Sequence, residues 1–384
     1  MSRRVSVLFA IPSLDRGGPD RVLFEVLAAL DRARFAPSVM VSDGAGHYLS
    51  QLPADVPVEV IGAGARYPVL RALRCVRRVR PDVVFATLRM IVTLGLVAKL
   101  LPRGTRLVVR PASPVSVDLA ALVQLSLVKH RIARQVVLAA LRGADGAICQ
   151  SESMRADLAT VRGTPANLFV VPNPIDVAKI GRAAAATVVL RGRPALASVA
   201  RLVPLKGYDI LLAALARVRP RHPEIHLTII GDGPERSRLD ALVARLELAD
   251  AVTFAGYQAE PLPAVRAADL FVLASRYDAF PNAALEALAC GTPIVLTDCP
   301  GANAELVIPG VNGELAVASE PAAVAAALER ALATTYDRGA IRADCDARYA
   351  TPRIVAQYER VFETVAIGRA GTSPHTARPT ASLR

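Results

Sequence analysis

The sequence predicts an α/β fold built as two doubly wound parallel sheets in tandem, with a cleft between them. Short apolar, β-branched runs alternate with helical patterns along almost the whole chain, the pattern of a parallel sheet covered on both faces. The alternation weakens once, over "VAKIGRAAAATVVLRGRP" at 177–194, and then resumes. The length of 384 residues exceeds what one ordinary core organises and suits two.

In the first half, strands are expected at "VSVLFAI", "APSVMVS", "VPVEVIG", "DVVFAT", "RLVVR" and "DGAICQ". Helical patterns lie between them at 19–31, 67–80, 91–101 and, as one long segment, about 115–142. In the second half the strands are "ALASVA", "IHLTIIG", "AVTFAG", "DLFVLAS" and "TPIVLTD", each followed by a helix. The expected domains are 1–180 and 195–350, with a helix at 351–368 returning to the first domain. The Pro/Ser/Thr-rich stretch 369–384 is expected to be a disordered tail.

Composition narrows the classes. The most apolar stretch, "VVFATLRMIVTLGLVAKLLP", is broken by Arg89 and Lys99 and falls short of the ~20 apolar residues a spanning helix needs. The start, "MSRRVSVLFAIPSLDRGG", imitates a signal peptide, but its apolar run is short and ends in Asp15-Arg16 without a cleavage pattern, so a first strand is expected. Five cysteines with no C-x-x-C pair point to a reducing cytoplasm and away from structural zinc. The net charge is +12, and all of the excess falls before residue 190: 25 basic and 13 acidic residues there, 21 of each afterwards. Such asymmetry calls for an anionic partner of the first half. Only 4% of the chain is aromatic and no base-stacking platform is visible, so nucleic acid is not that partner.

Loops after strands carry the chemistry in such folds. Gly17 and Gly18 stand at the first strand-to-helix turn, where bare backbone approaches a phosphate and the helix dipole favours it. Arg201 and Lys206 lie on the loop of "VARLVPLKGYDI", and Lys206 is the only lysine after residue 190. A compact ammonium there suits a phosphate. Gly231 and Gly233 form a further glycine turn that fails as G-x-G-x-x-G because Arg236 takes the place of the last glycine. "SRYDAFPNAALEALACGTP" runs from loop to helix, with Pro281 suited to the first helical position and Gly291 to the cap. Glu286 has no basic residue three or four positions away, so it lacks a local ion pair and is expected to be free for hydroxyl groups of a sugar or ribose, or else paired with an arginine from elsewhere in the fold.

Together, "VARLVPLKGYDILLAAL" and "ADLFVLASRYDAFPNAALEALACGTPIVLTDCPGANAEL", with "GVNGEL" and the early "GGPDRVLFEVLAAL", closely resemble the retaining, nucleotide-sugar-dependent glycosyltransferases of family four. The resemblance covers about the whole ordered chain and is strongest from 195 to 317. It implies the GT-B arrangement, two Rossmann-like domains facing across a cleft. It implies that Gly17, Gly18 and Gly231 belong to the donor site, that Arg201 and Lys206 neutralise the diphosphate, and that Glu286 holds the ribose as second carboxylate of an E-x7-E motif. The first carboxylate falls on Asp278, where the family usually has Glu, a reach shorter by ~1.5 Å. Phe280, Pro281 and Asn282 fill the middle of the motif, where backbone amides meet donor sugar and phosphate. Many members carry a histidine after the fourth strand, whereas "VVFATLRMI" has none, and His47 and His130 are not promoted in its place.

The resemblance implies transfer of a hexosyl or N-acetylhexosaminyl group to a lipid-linked or polysaccharide acceptor in cell-envelope glycan synthesis. No metal or other cofactor is expected, since cationic side chains and helix N-termini oppose the charge of the leaving diphosphate. "DCD" at 344–346 reads as a solvated helix face rather than a metal site. An epimerase or phosphorylase would need an acid–base set or a cofactor-binding lysine that the sequence does not display. A non-catalytic sugar-nucleotide-binding partner of another transferase stays open, because of Asp278 and the missing histidine. Arg71, Arg74, Arg77, Arg78 and Arg80 on one helix, and Lys129, His130, Arg131 and Arg134 beside Leu122, Leu125, Val128 and Ile132 on another, suggest an anionic membrane surface on the cytoplasmic side. The apolar members of the second group are expected to be core.

Overall fold

The computed structural model describes residues 3–15, 17–62, 68–121, 127–163, 167–317 and 319–367. The tail from 369 and the positions of Leu122 and Leu125 lie outside them. Thirteen strands among these residues form two all-parallel sheets. The first contains β1 (Val5–Ile11), β2 (Phe35–Val41), β3 (Val58–Val60), β4 (Val83–Thr87), β5 (Arg106–Arg110), β6 (Gly146–Cys149) and β7 (Leu168–Val170), in the order β3-β2-β1-β4-β5-β6-β7. The second contains β8 (Ala195–Val199), β9 (His226–Ile230), β10 (Val252–Gly256), β11 (Leu270–Leu273), β12 (Ile294–Thr297) and β13 (Gly313–Ala316), in the order β10-β9-β8-β11-β12-β13. Strand order therefore reverses at β1/β4 in one sheet and at β8/β11 in the other. Loops leaving the carboxyl ends at such reversals diverge and open a crevice for ligands.

The expected strands are all present, and the sequence reading missed two, β7 and β13. Both are edge strands, of three and four residues. The helical segment 115–142 is two helices, Val115–Ala121 and Leu127–Arg142.

The first sheet is buried on both faces, which is why its central strands are continuously apolar. One face carries helices Val69–Val79, Arg89–Gly95, Val115–Ala121, Leu127–Arg142 and Glu152–Arg162. The other carries helix Gly18–Ala29 and the C-terminal helix Thr351–Ile367. That last helix enters the first domain's core: Phe362 packs edge-on against Phe85, centroids 5.4 Å apart, and Phe85 meets Phe9 at the same distance.

The chain thus crosses between domains twice. The crossings lie side by side, with Ile175 N donating to Tyr349 O (2.9 Å) and Thr351 N to Ile175 O (3.1 Å). The first domain was expected to end at 180 and a linker to follow. Instead the stretch forms helix Val177–Ala183, and Ile175, Val177, Ile180 and Ala184 pack in the second domain's core. Their apolar spacing is that of one helix face, which the alanine-rich surroundings obscured.

Two helices on the first domain present basic faces. Helix Val69–Val79 buries Ala72, Leu73, Cys75 and Val76 and leaves Arg71, Arg74, Arg77 and Arg78 outside, with Leu70 68% exposed beside them. Helix Leu127–Arg142 corrects an expectation. Val128 and Ile132 are not core but 69% and 60% exposed, next to Lys129, Arg131 and Arg134. The helix docks through its second half, where Leu138, Ala140 and Leu141 are buried, so its first turns have no cover among the described residues. No helix among the described residues is long and apolar enough to cross a membrane.

Candidate active site

The loops that leave β1, β8, β9 and β11 are those that carry the glycine, lysine and carboxylate motifs. In the second domain, the turn after β8 ends in Gly207, at φ 63°, where a Cβ would collide with the carbonyl oxygen of Ala274 just past β11. That close approach brings the Lys206 ammonium to Asp278, Nζ to Oδ2 at 2.5 Å. Asp278 is held by its backbone: its N–H donates to Pro300 O (3.0 Å) and its carbonyl accepts from Ala302 N (3.1 Å). Gly231, at φ 145°, packs its backbone against the Ala200 carbonyl, which no side chain would permit. Arg201 is exposed and, among the described residues, has neither a hydrogen bond nor an ion pair to its side chain.

The helix of "SRYDAFPNAALEALACGTP" runs Asn282–Ala289, so Pro281 is the residue before its first turn rather than the first helical one. The Phe280 ring is buried against Tyr349 (5.9 Å between centroids), which leaves only its backbone for a ligand. Asn282 reaches into the first domain. Its Oδ1 accepts from Asn173 Nδ2 (2.7 Å), and Asn173 Oδ1 accepts from Arg110 Nη2 (2.5 Å). Arg110 also donates from Nε to Tyr358 OH (3.0 Å), so a buried polar relay runs from the end of β5 to the motif helix. A Cβ on Gly18 would come within 3.0 Å of Asn282 Nδ2, so the glycine turn and the motif helix face each other directly.

Glu286 is not the unpaired carboxylate that its own helix suggests. It pairs with Arg21 from helix Gly18–Ala29, a cation from the other domain and 265 positions away. Local spacing cannot reveal such a partner. Arg21 Nε also lies 3.6 Å from Glu25 Oε1. Burial opposes charge on Arg21, but Glu286 and Glu25 outweigh it and raise its pKa. Burial raises the Glu25 pKa, with Arg21 opposing. Beside them the buried Asp20 accepts, among the described residues, only the Asp15 N–H (3.1 Å), and burial pushes its pKa up to about 6. Sequence reasoning missed Arg21, Asn173 and Arg110; the one signal was that Arg21 follows Gly17 by a single helical turn.

Residues 185–345 match the family described as glycosyl transferases group 1, and residues 16–179 match the one described as Glycosyltransferase Family 4. The chain belongs to the family-four glycosyltransferases. Among relatives of this glycosyltransferase, a lipopolysaccharide core biosynthesis glycosyltransferase of Rhizobium meliloti is 37% identical over 33% of this chain and 34% of its own length. An N-acetylgalactosamine-N,N'-diacetylbacillosaminyl-diphospho-undecaprenol 4-alpha-N-acetylgalactosaminyltransferase of Campylobacter jejuni is 31% identical over 37% of this chain and 38% of its own. The chain thus spans about a third of the length of these curated relatives. Among solved structures, Anabaena HepE in complex with UDP and glucose superposes with TM-score 0.72 at 22% identity, covering 94% of this chain and all (100%) of that one. Sucrose-phosphate synthase of Thermosynechococcus elongatus gives 0.76 at 20% identity, over 95% of this chain and 100% of that one. These likenesses show the fold, GT-B. Across its two domains Gly18 faces Asn282, Arg21 pairs with Glu286 and Asn173 bonds to Asn282.

Proposed function

We propose that this glycosyltransferase moves a hexosyl or N-acetylhexosaminyl group from a nucleoside-diphosphate sugar to a lipid-linked or polysaccharide acceptor, with retention of anomeric configuration. What supports this reading is that Asp278, paired with Lys206, and Glu286 belong to one loop-to-helix stretch, whose helix starts at Asn282, opposite Gly18 and bonded to Asn173 of the first domain. Departure of the diphosphate places negative charge where Lys206, Arg201 and the amides at the start of helix Asn282–Ala289 stand, and electrostatic stabilisation acts best where charge develops. Glu286 then engages ribose hydroxyls, Gly17 and Gly18 admit the diphosphate, and Asp278 holds Lys206 beside the reacting carbon. Because protein groups supply this charge stabilisation, activity in the presence of EDTA is the expected outcome. The test is transfer from a panel of nucleoside-diphosphate sugars to undecaprenyl-linked acceptors, with the product anomer read by NMR. Inverted product overturns retention, and transfer from no donor overturns the reading.

The exposed Val128, Ile132 and Leu70 set among lysine and arginine support an anionic leaflet as the working surface, on the cytoplasmic face. The name of the Campylobacter relative, which carries a diphospho-undecaprenol substrate, supports a lipid-linked acceptor in cell-envelope synthesis.

A further inference from the structure

Arg21 stands one turn into its helix, its backbone N–H donating to Gly17 O at 3.0 Å, so the residue that carries the guanidinium is joined to the glycine turn through the backbone. Nη1 donates to Glu286 Oε1 across the crevice. Nε faces Glu25 at 3.6 Å without a hydrogen bond, and both Nε and Glu25 Oε2 are buried without hydrogen-bond partners among the described residues. Glu286 Oε2 takes no protein donor among the described residues. One cation thus sits between two acids, anchoring one oxygen of Glu286 and leaving the other open.

A simple strap between domains would not need this arrangement. The domains are already joined by Asn173–Asn282, by Glu305, which accepts the N–H groups of Glu152 and Ser153 (3.0 Å each), and by the C-terminal helix. Incompletely satisfied charges inside a protein are costly, and their retention at a ligand crevice points to a role there.

We propose that Arg21 is a positioning residue for the donor: it fixes Glu286 by Oε1 so that Oε2 meets the ribose, and ties that grip to the glycine turn that receives the diphosphate. This rests on the reading of Glu286 as the ribose ligand. A carboxylate pre-oriented by a second group loses less freedom on binding, so its hydrogen bonds count for more.

The experiment is a double-mutant cycle read by calorimetry, with whichever of UDP, GDP and ADP binds the wild-type protein. Arg21→Ala is expected to weaken binding roughly tenfold, Arg21→Lys to recover part of the loss, and Arg21→Ala added to Glu286→Gln to cost nothing further. Affinity for inorganic pyrophosphate should be the same in wild type and Arg21→Ala. If Glu286→Gln weakens binding but Arg21→Ala does not, or the two losses add fully, the positioning role is overturned and the ribose role stands. If Glu286→Gln binds as wild type, or no nucleoside diphosphate binds the wild type, the ribose role falls and this inference with it. Should Arg21→Ala not fold, Arg21→Gln enters the same cycle.

Discussion

Lys206 Nζ lies 2.5 Å from Asp278 Oδ2, so the lysine proposed to meet the diphosphate is held by the carboxylate at the first position of the E-x7-E motif. Asp is one carbon shorter than the usual Glu, and here it ends on Lys206. The Asp278 side chain is only 11% exposed, so its partner matters to folding as well as to chemistry.

Removing either cation that opposes the leaving group is expected to cut turnover by ~10²–10³. The two differ in stability. Lys206→Ala leaves Asp278 without its cation and should lower the melting temperature, whereas Arg201→Ala removes an exposed side chain that has no partner among the described residues and should not. Initial rates and thermal melts of both variants check this; equal melting losses would contradict it.

Asp20 makes a prediction about pH. Its folded pKa, about 6, lies above the ordinary 3.8. Its contribution to stability is therefore complete below about pH 4 and is lost as pH rises through 6. Asn keeps the oxygen that accepts from Asp15 and removes the charge. Asp20→Asn should stabilise the protein at about pH 7.5 by up to about 3 kcal/mol, and hardly at all near pH 4. Melts across that range decide it, and a gain independent of pH would remove the buried charge as the cause.

Phe362→Ala is expected to cost ~3–5 kcal/mol, because the ring sits against Phe9, Phe35 and Phe85 in the first domain's core. Chemical denaturation measures it. A loss below about 1 kcal/mol would mean that the C-terminal helix is dispensable to that domain.

Sedimentation with vesicles tests the membrane surface. Binding to phosphatidylglycerol should weaken with salt and fall when Arg74, Arg77 and Arg78 become Glu. Val128→Ser with Ile132→Ser should remove the part that survives high salt. Equal binding to phosphatidylcholine, or none to either, assigns the charge elsewhere.

The fold was legible because both sheets are buried on two faces, which writes their central strands as unbroken apolar runs. Edge strands β7 and β13, of three and four residues, escaped. Of the candidate site residues, Gly17, Lys206 and Asp278 could be placed on loops after strands, and Glu286 on the helix that follows, from the sequence. Arg21 and Arg110 could not, since each acquires its meaning from a partner in another part of the chain. Val128 and Ile132 show the converse: helical spacing alone does not tell a core face from one left without a cover.

The most direct test of the central claim is release of nucleoside diphosphate from each of a panel of nucleotide sugars, without acceptor, followed by 31P NMR. A working centre hydrolyses its donor slowly. The account predicts release from at least one donor by the wild-type protein, in EDTA, and its near-complete loss in Lys206→Ala. A donor that binds tightly but is never cleaved would contradict it, and would make the chain a sugar-nucleotide-binding partner of another transferase.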